Sequence, residues 1–341
     1  MSDTLERYIL KQVFVTGGTG FLGKRLVRSL VRDGFRVRCL TRGTSDIDSL
    51  RRFVGEQYGS QLDIVTGELM DVQLIEQQLN GCEVIYHCAA GMQGAAATIF
   101  QQTVVPTRYL VQAALAAKTP RFVLVSSMGV YGAGVLAKNA VLDESCPIEP
   151  KPELRDNYTY SKVVQEEVVW EAHREHQLPV VVIRPGVIIG PGRGALSARV
   201  GLKVGPLQLR FGNRVMPYIF VENCADAIKQ AGLVQGVVGQ AINIVDDDLP
   251  TAKEVLKAYR SEQQRVRSLW LPQWSIRPLS RMYETYHRWS QGQLPKVLTA
   301  YRTDAFWKPL QFSNAKAKAL LNWMPAVSMA EALRRSVVER E

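Results

Sequence analysis

Short runs rich in β-branched and apolar residues alternate with longer stretches of helical period through the first two-thirds of the chain. The runs are Gln12–Thr16, Arg36–Thr41, Leu62–Thr66, Val84–Cys88, Phe122–Ser126 and Val180–Arg184, bounded by Gly, Pro or polar residues. Helical spacing predicts helices near 20–33, 71–80, 99–118, 159–176 and 222–233. A strand that is apolar at nearly every position is buried on both faces, and the alternating helices supply the cover. The predicted class is α/β, a doubly wound parallel sheet.

After Arg184 the texture changes. Residues 185–221 are rich in Gly and Pro, and a helix–strand pair at 222–245 is expected to rejoin the first sheet. Residues 250–310 read as irregular and aromatic, with Pro250, Pro272, Pro278, Pro295 and Pro309 expected to break any long helix. The division expected is a dinucleotide-binding domain over 1–185 plus about 222–245. A smaller, discontinuous C-terminal substrate lobe takes about 186–221 and 246–341. Two lobes suit 341 residues, because single cores stop growing near roughly 250–300 residues.

Composition excludes more than it selects. With 46% hydrophobic and 22% charged residues the chain is neither disordered nor a disulfide scaffold. Five scattered cysteines form no CxxC pair, so no metal site is expected. The first residues carry no basic-plus-apolar leader and no apolar run approaches the ~20 residues of a spanning helix, so the expectation is a cytoplasmic protein. The net charge of +10 is uneven: residues 251–341 hold 16 Lys+Arg, 7 Asp+Glu and five of the six tryptophans.

Chemistry begins where the first strand runs into Gly17-Gly18-Thr19-Gly20-Phe21-Leu22-Gly23. Gly17, Gly20 and Gly23 suit a tight turn, close backbone approach to a pyrophosphate, and helix–strand packing, with the phosphates on free N–H groups of the new helix. The architecture is thus Rossmann-type. A cofactor without a 2′-phosphate usually meets an acid at the end of the second strand; here the strand ends Cys39-Leu40-Thr41-Arg42. A guanidinium beside the ribose favours NADP(H) over NAD(H). Downstream, Tyr158 and Lys162 share a helix face at i, i+4, and an ammonium beside a phenol lowers its pKa toward working pH. Strand Val123–Val125 ends in Ser126 and Ser127, at the sheet edge where such folds bind ligands.

Together these segments resemble an extended short-chain dehydrogenase/reductase of the NAD(P)-dependent epimerase/dehydratase superfamily. The matching pieces are TGGTGFLG at 16–23, GELMD at 67–71, HCAA at 87–90, VSSMGVYG at 125–132, YTYSK at 158–162, IRPGVIIGPG at 183–192 and YIFVENCADA at 218–227. The resemblance implies that Ser127 bonds the reacting oxygen, Tyr158 is the acid/base, and Lys162 holds the nicotinamide ribose and tunes Tyr158. It implies pyrophosphate contacts at Gly17, Gly20, Phe21, Leu22 and Gly23, and adenine flanked by Glu68 and Leu69. Ala89 and Ala90 would line the cofactor channel, with Pro185 and Val187 near the nicotinamide. Glu68 stands where the family usually has Asp. Thr103 stands where it has an Asn that supports the proton relay. His87 reads as a packed strand-end residue.

The resemblance implies interconversion of a secondary alcohol and a ketone by hydride transfer, with a nucleotide-sugar epimerase as the alternative. Its 4,6-dehydratases carry acids directly after the catalytic hydroxyl, where Met128 and Gly129 stand here. A small-molecule substrate, anionic or apolar, is expected: His176 to Val221 holds no acid but Arg184, Arg193, Arg199, Lys203, Arg210 and Arg214. Trp270, Trp274, Tyr283, Tyr286 and Trp289, lying among Arg265, Arg267, Arg277, Arg281 and Arg288, read first as substrate-lobe core with snorkelling arginines. Peripheral contact with anionic lipid is the second reading; no nucleic acid partner is expected. Family members commonly dimerise through two helices per subunit, here about 101–117 and 160–176, so a homodimer is expected.

Overall fold

The structure is a computed structural model; it describes residues 11–204, 207–262, 267–290 and 298–338. In chain order the first elements are β1 (Gln12–Thr16), α1 (Gly23–Arg32), β2 (Arg36–Thr41), α2 (Ile47–Val54), β3 (Leu62–Thr66), α3 (Val72–Leu79), β4 (Cys82–His87), α4 (Ala96–Ala116) and β5 (Phe122–Val125). Next come β6 (Val141–Leu142), α5 (Asn157–His176), β7 (Val180–Pro185), β8 (Val187–Ile189), β9 (Leu202–Val204), β10 (Leu207–Phe211), β11 (Tyr218–Phe220), α6 (Val221–Leu233) and β12 (Ala241–Ile244). The chain closes with α7 (Ala252–Ser261), β13 (Arg267–Leu271), α8 (Ile276–Trp289), α9 (Ala300–Trp307), β14 (Gln311–Phe312), α10 (Ala315–Leu321) and α11 (Met329–Val338).

Seven strands form one sheet in the order β12-β7-β5-β4-β1-β2-β3, and every pairing in it is parallel. Strand alternation sorts the two faces. Val13 and Val15, Val123 and Val125, and Val181 and Ile183 pack with α1, α2, α6 and α10, whereas Phe14, Phe122, Leu124 and Val182 pack with α3, α4 and α5. From β1 the chain builds outward to β2 and β3, then crosses back to add β4 on the other side. The crevice opened by that reversal lies between the ends of β1 and β4.

Residues 250–310 are more regular than the sequence suggested. Pro250 precedes α7, Pro272 precedes α8, and Pro278 is the third residue of α8, a first-turn position where no N–H donor is needed. The prolines there punctuate three helices instead of preventing them. Smaller sheets, β13-β10-β9, β11-β8 and β14-β6, complete the fold. Arg265, Pro295 and the side chain of Lys203 lie outside the described residues.

Candidate active site

The turn after β1 is built from glycine because nothing larger fits. Gly17 sits at φ +72°, and a Cβ there would come within 2.7 Å of the Ala89 nitrogen beyond β4. A Cβ on Gly23 would lie 2.0 Å from the Gly17 carbonyl oxygen. The loop thus presses against the end of β4 and enters α1 with no side chain capping that helix, which leaves N–H groups for an anion. Arg25 braces the turn from below, donating to the Phe21 carbonyl at 2.7 Å with its guanidinium 4.4 Å from the Phe21 ring centre.

All of the sequence-predicted site residues line one cleft of about 1210 Å³. Gly17, Gly20, Phe21, Leu22 and Gly23 border it after β1, and Arg42, Glu68 and Leu69 border it after β2 and β3. Ala89 and Ala90 follow β4, and Ser127 follows β5. Tyr158 and Lys162 come from α5, with Pro185 and Val187 beside them. These groups fit an extended dinucleotide: a glycine cradle at a bare helix N-terminus, a cationic Arg42 exposed beyond β2, and a polar trio at the far end. A dinucleotide of the nicotinamide type, held by these residues, would supply hydride chemistry.

Helix α5 begins at Asp156, whose carboxylate accepts from the Thr159 N–H at 2.9 Å and its hydroxyl at 2.8 Å. That cap places Tyr158 in the first turn, half-buried on the wall of the cleft that Ser127 also lines. Ser127 Oγ accepts from the Gly129 N–H at 3.0 Å, which fixes its rotamer. Lys162 is buried, 6.0 Å from the Tyr158 ring centre, and donates to the Val125 carbonyl and to Gln165 Oε1, each at 2.8 Å. Burial pushes the Tyr158 hydroxyl up to about 12, against the pull of Ser127 and nearby Arg193, which corrects the expectation that Lys162 holds it down toward working pH. Burial also lowers the Lys162 ammonium to about 8. Ser126 is not available to a substrate, because it donates to the Glu166 carboxylate.

Several sequence expectations are corrected. Arg184 forms a buried bidentate pair with Glu166 at 2.9 and 2.6 Å and donates to the Tyr131 hydroxyl, so it faces no ligand. Arg214 is spent on the carbonyls of Phe211, Trp307 and Arg199, and Arg210 stacks on Trp270. Of that basic group Arg193 and Arg199 line the cleft, joined by Arg155 and Arg302, which no motif marked. Asp156 borders the cleft as well, with its carboxylate engaged as the α5 cap. Trp274 and Trp289 are 74% and 78% exposed, and Trp270 is exposed too, which overturns their reading as core; Trp307 and Trp323 are buried. On the second of the two helices expected to pair in a dimer, Val163 and Val168 are buried within this chain's own core. Phe306 and Trp307, which also wall the cleft, lie in a stretch read as irregular.

No helix among the described residues is long and apolar enough to cross a membrane. Residues 13–244 match the profile of the NAD dependent epimerase/dehydratase family. Cinnamoyl-CoA reductase 1 of Petunia hybrida is 31% identical over 184 residues, 52% of this chain and 55% of that protein; the chain thus spans about half the length of this relative. The 2-alkyl-3-oxoalkanoate reductase of Shewanella oneidensis is 25% identical over 348 residues, covering 96% of this chain and 85% of that one. Among solved structures, UDP-glucuronic acid 4-epimerase from Bacillus cereus in complex with NAD shares the fold at a TM-score of 0.69 and 18% identity, over 96% of this chain and 97% of that one. With well over half of its residues matched, the chain belongs to the NAD dependent epimerase/dehydratase family.

Proposed function

We propose that this protein is an NADP(H)-dependent oxidoreductase that interconverts a ketone and a secondary alcohol, with Tyr158 as the acid/base. The observation that carries the reading is the convergence of Ser127, Tyr158 and Lys162 at one end of a cleft whose other end holds the glycine loop and Arg42. Ser127 holds the substrate oxygen, Tyr158 gives or takes its proton, and the Lys162 ammonium stabilises the phenolate that results. Arg42 meets the 2′-phosphate of the adenine ribose, a pairing that NAD lacks. The two reductases among the relatives support reduction over epimerisation. The substrate carries an anionic group toward Arg199, which lies 4.8 Å over the Phe306 ring and pairs with no carboxylate among the described residues. We further propose a homodimer through the α4–α5 face and peripheral contact of the exposed α8 aromatic face with anionic lipid.

The test is turnover of a panel of 3-oxo acids and their methyl esters with NADPH and with NADH. The expected outcome is NADPH-linked reduction that Tyr158→Phe lowers by about 10²–10⁴-fold while NADPH binding stays near wild type. Preference for NADH removes the cofactor assignment, and turnover surviving in Tyr158→Phe removes the mechanism. A protein that purifies with tightly held oxidised cofactor and reduces no ketone is the epimerase instead.

A further inference from the structure

Behind Lys162 lies a line of polar side chains that the reaction itself does not use. Gln165, Thr107, His87, Thr103 and Thr16 are all at most 1% exposed, in the layer between α4, α5 and the ends of β1 and β4. Five polar groups sealed from water are costly unless every one is satisfied. Here they are. Lys162 Nζ donates to Gln165 Oε1, and Gln165 Nε2 donates to Thr107 Oγ1, both at 2.8 Å. His87 bridges Thr107 through Nε2 at 2.8 Å and Thr16 through Nδ1 at 2.7 Å.

The protons in this line can be counted. The Thr107 hydroxyl donates to the Thr103 carbonyl at 2.6 Å, so its oxygen is left to accept from both Gln165 Nε2 and His87 Nε2. His87 therefore carries its proton on Nε2 and accepts the Thr16 hydroxyl at Nδ1. The 3.3 Å approach of Gln165 Nε2 to His87 Nε2 is then two donors converging on one oxygen. This fixes the Gln165 amide: turned over, it would set an NH₂ against the ammonium. The far end of the line holds the cofactor channel, since Thr16 Oγ1 accepts from the Ala89 N–H at 3.4 Å and Thr103 Oγ1 from the Gly91 N–H at 2.9 Å.

We propose that Gln165, oriented by Thr107 and neutral His87, is a positioning residue that locks the Lys162 ammonium beneath Tyr158 and ties it to the strand ends that cradle the cofactor. The inference rests on the oxidoreductase reading in one respect, that Lys162 serves Tyr158. It gives the missing Asn at position 103 a replacement: support for the lysine comes from its own helix, one turn on, and from Thr107 on α4. The charged and titratable groups around Lys162 are Tyr158 and Glu166 on α5 and His87 and Cys88 at the end of β4. Glu166, one turn beyond Lys162 on the same face, is engaged by Arg184 and Ser126, which leaves Gln165 as the side-chain acceptor of the ammonium.

The experiment reads Lys162 directly, in the cofactor-free protein, by NMR titration of ¹³Cε/¹⁵Nζ-labelled lysine assigned with Lys162→Met. Gln165→Leu removes the acceptor, and the Lys162 midpoint should fall by about one pH unit. Gln165→Glu supplies a charged acceptor, and the midpoint should rise by a similar amount. The alkaline limb of kcat against pH should move in the same two directions. A purely structural role would move both variants the same way or neither. Unchanged midpoints in both variants overturn the inference. If the Leu variant does not fold, the Glu variant decides alone, a rise supporting the inference and no rise overturning it. Turnover surviving in Tyr158→Phe instead overturns the reaction reading, whatever Lys162 does.

Discussion

At Arg42 a single side chain carries the proposed choice between two cofactors. It stands exposed at the cleft beyond β2, with no acid at the position that would otherwise bind a ribose hydroxyl. Arg42→Ser should raise KM for NADPH roughly ten- to hundredfold while leaving KM for NADH near its starting value, as steady-state kinetics with both cofactors would show. Lys162 sets a pH limit: its charge is lost above about 8, so kcat/KM for reduction should be flat below that pH and fall above it. His87 sets another. Burial lowers it to about 3, so between about 6.5 and about 3 the unfolded chain binds a proton that the folded one refuses. Stability from neutral His87 is therefore present above about 6.5 and lost as pH falls toward 3. Urea midpoints measured down this range should fall more steeply for wild type than for His87→Gln. The glycines, Tyr158 and Lys162 were legible in the sequence because each answers to a local spacing. Gln165 and Thr107 were not, since their partners lie on other elements and no spacing within α4 or α5 announces them.

Helix α5 carries two jobs on one buried face. Tyr158, Lys162 and Gln165 serve the cleft; Glu166, one turn on from Lys162, pairs with Arg184 of β7, extended through Ser126 and through Tyr131 to Asn243 on β12. Removing one partner of such a pair strands the other charge away from water. Glu166→Gln should cost about 3–5 kcal/mol in chemical unfolding. Six of the seven strands of the large sheet were readable as runs rich in β-branched and apolar residues. They are apolar at nearly every position where both faces are buried, as in β5 and β7, and mixed with polar residues in β2 and the edge strand β3. The seventh, β12, is only four residues long and was foreseen through the helix before it. Helix α8 was missed for the opposite reason: Pro278, read as a breaker, occupies the first turn, and the face holding Met282, Tyr286 and Trp289 is exposed, so its apolar residues do not mark a core.

For the whole molecule, the basic aromatic end has become a surface. Exposed Met282 and Trp289 share α8 with the exposed arginines 281 and 288, exposed Trp274 lies in the turn just before it, and the helix packs against α9, whose Phe306 and Trp307 wall the cleft. Interfacial contact with lipid predicts co-sedimentation with vesicles containing anionic phospholipid, weakened by Trp289→Ala and absent with neutral vesicles. No binding to either vesicle would remove that reading. Neither this face nor Arg155 and Arg302 could be placed from sequence, because their positions follow from how distant segments stack.

One further consequence concerns the order in which the molecule can become whole. Trp323, 2% exposed, belongs to the same packed layer as Val13 and Leu26, and its indole donates to the Asn223 carbonyl. The layer that backs the glycine loop therefore stays incomplete until residue 323 has been made. At synthesis rates of about 5–20 residues per second, the nascent chain spends many seconds with its loop present but the sheet unsealed. Chains stopped short of residue 323 should be captured by chaperones instead of by cofactor.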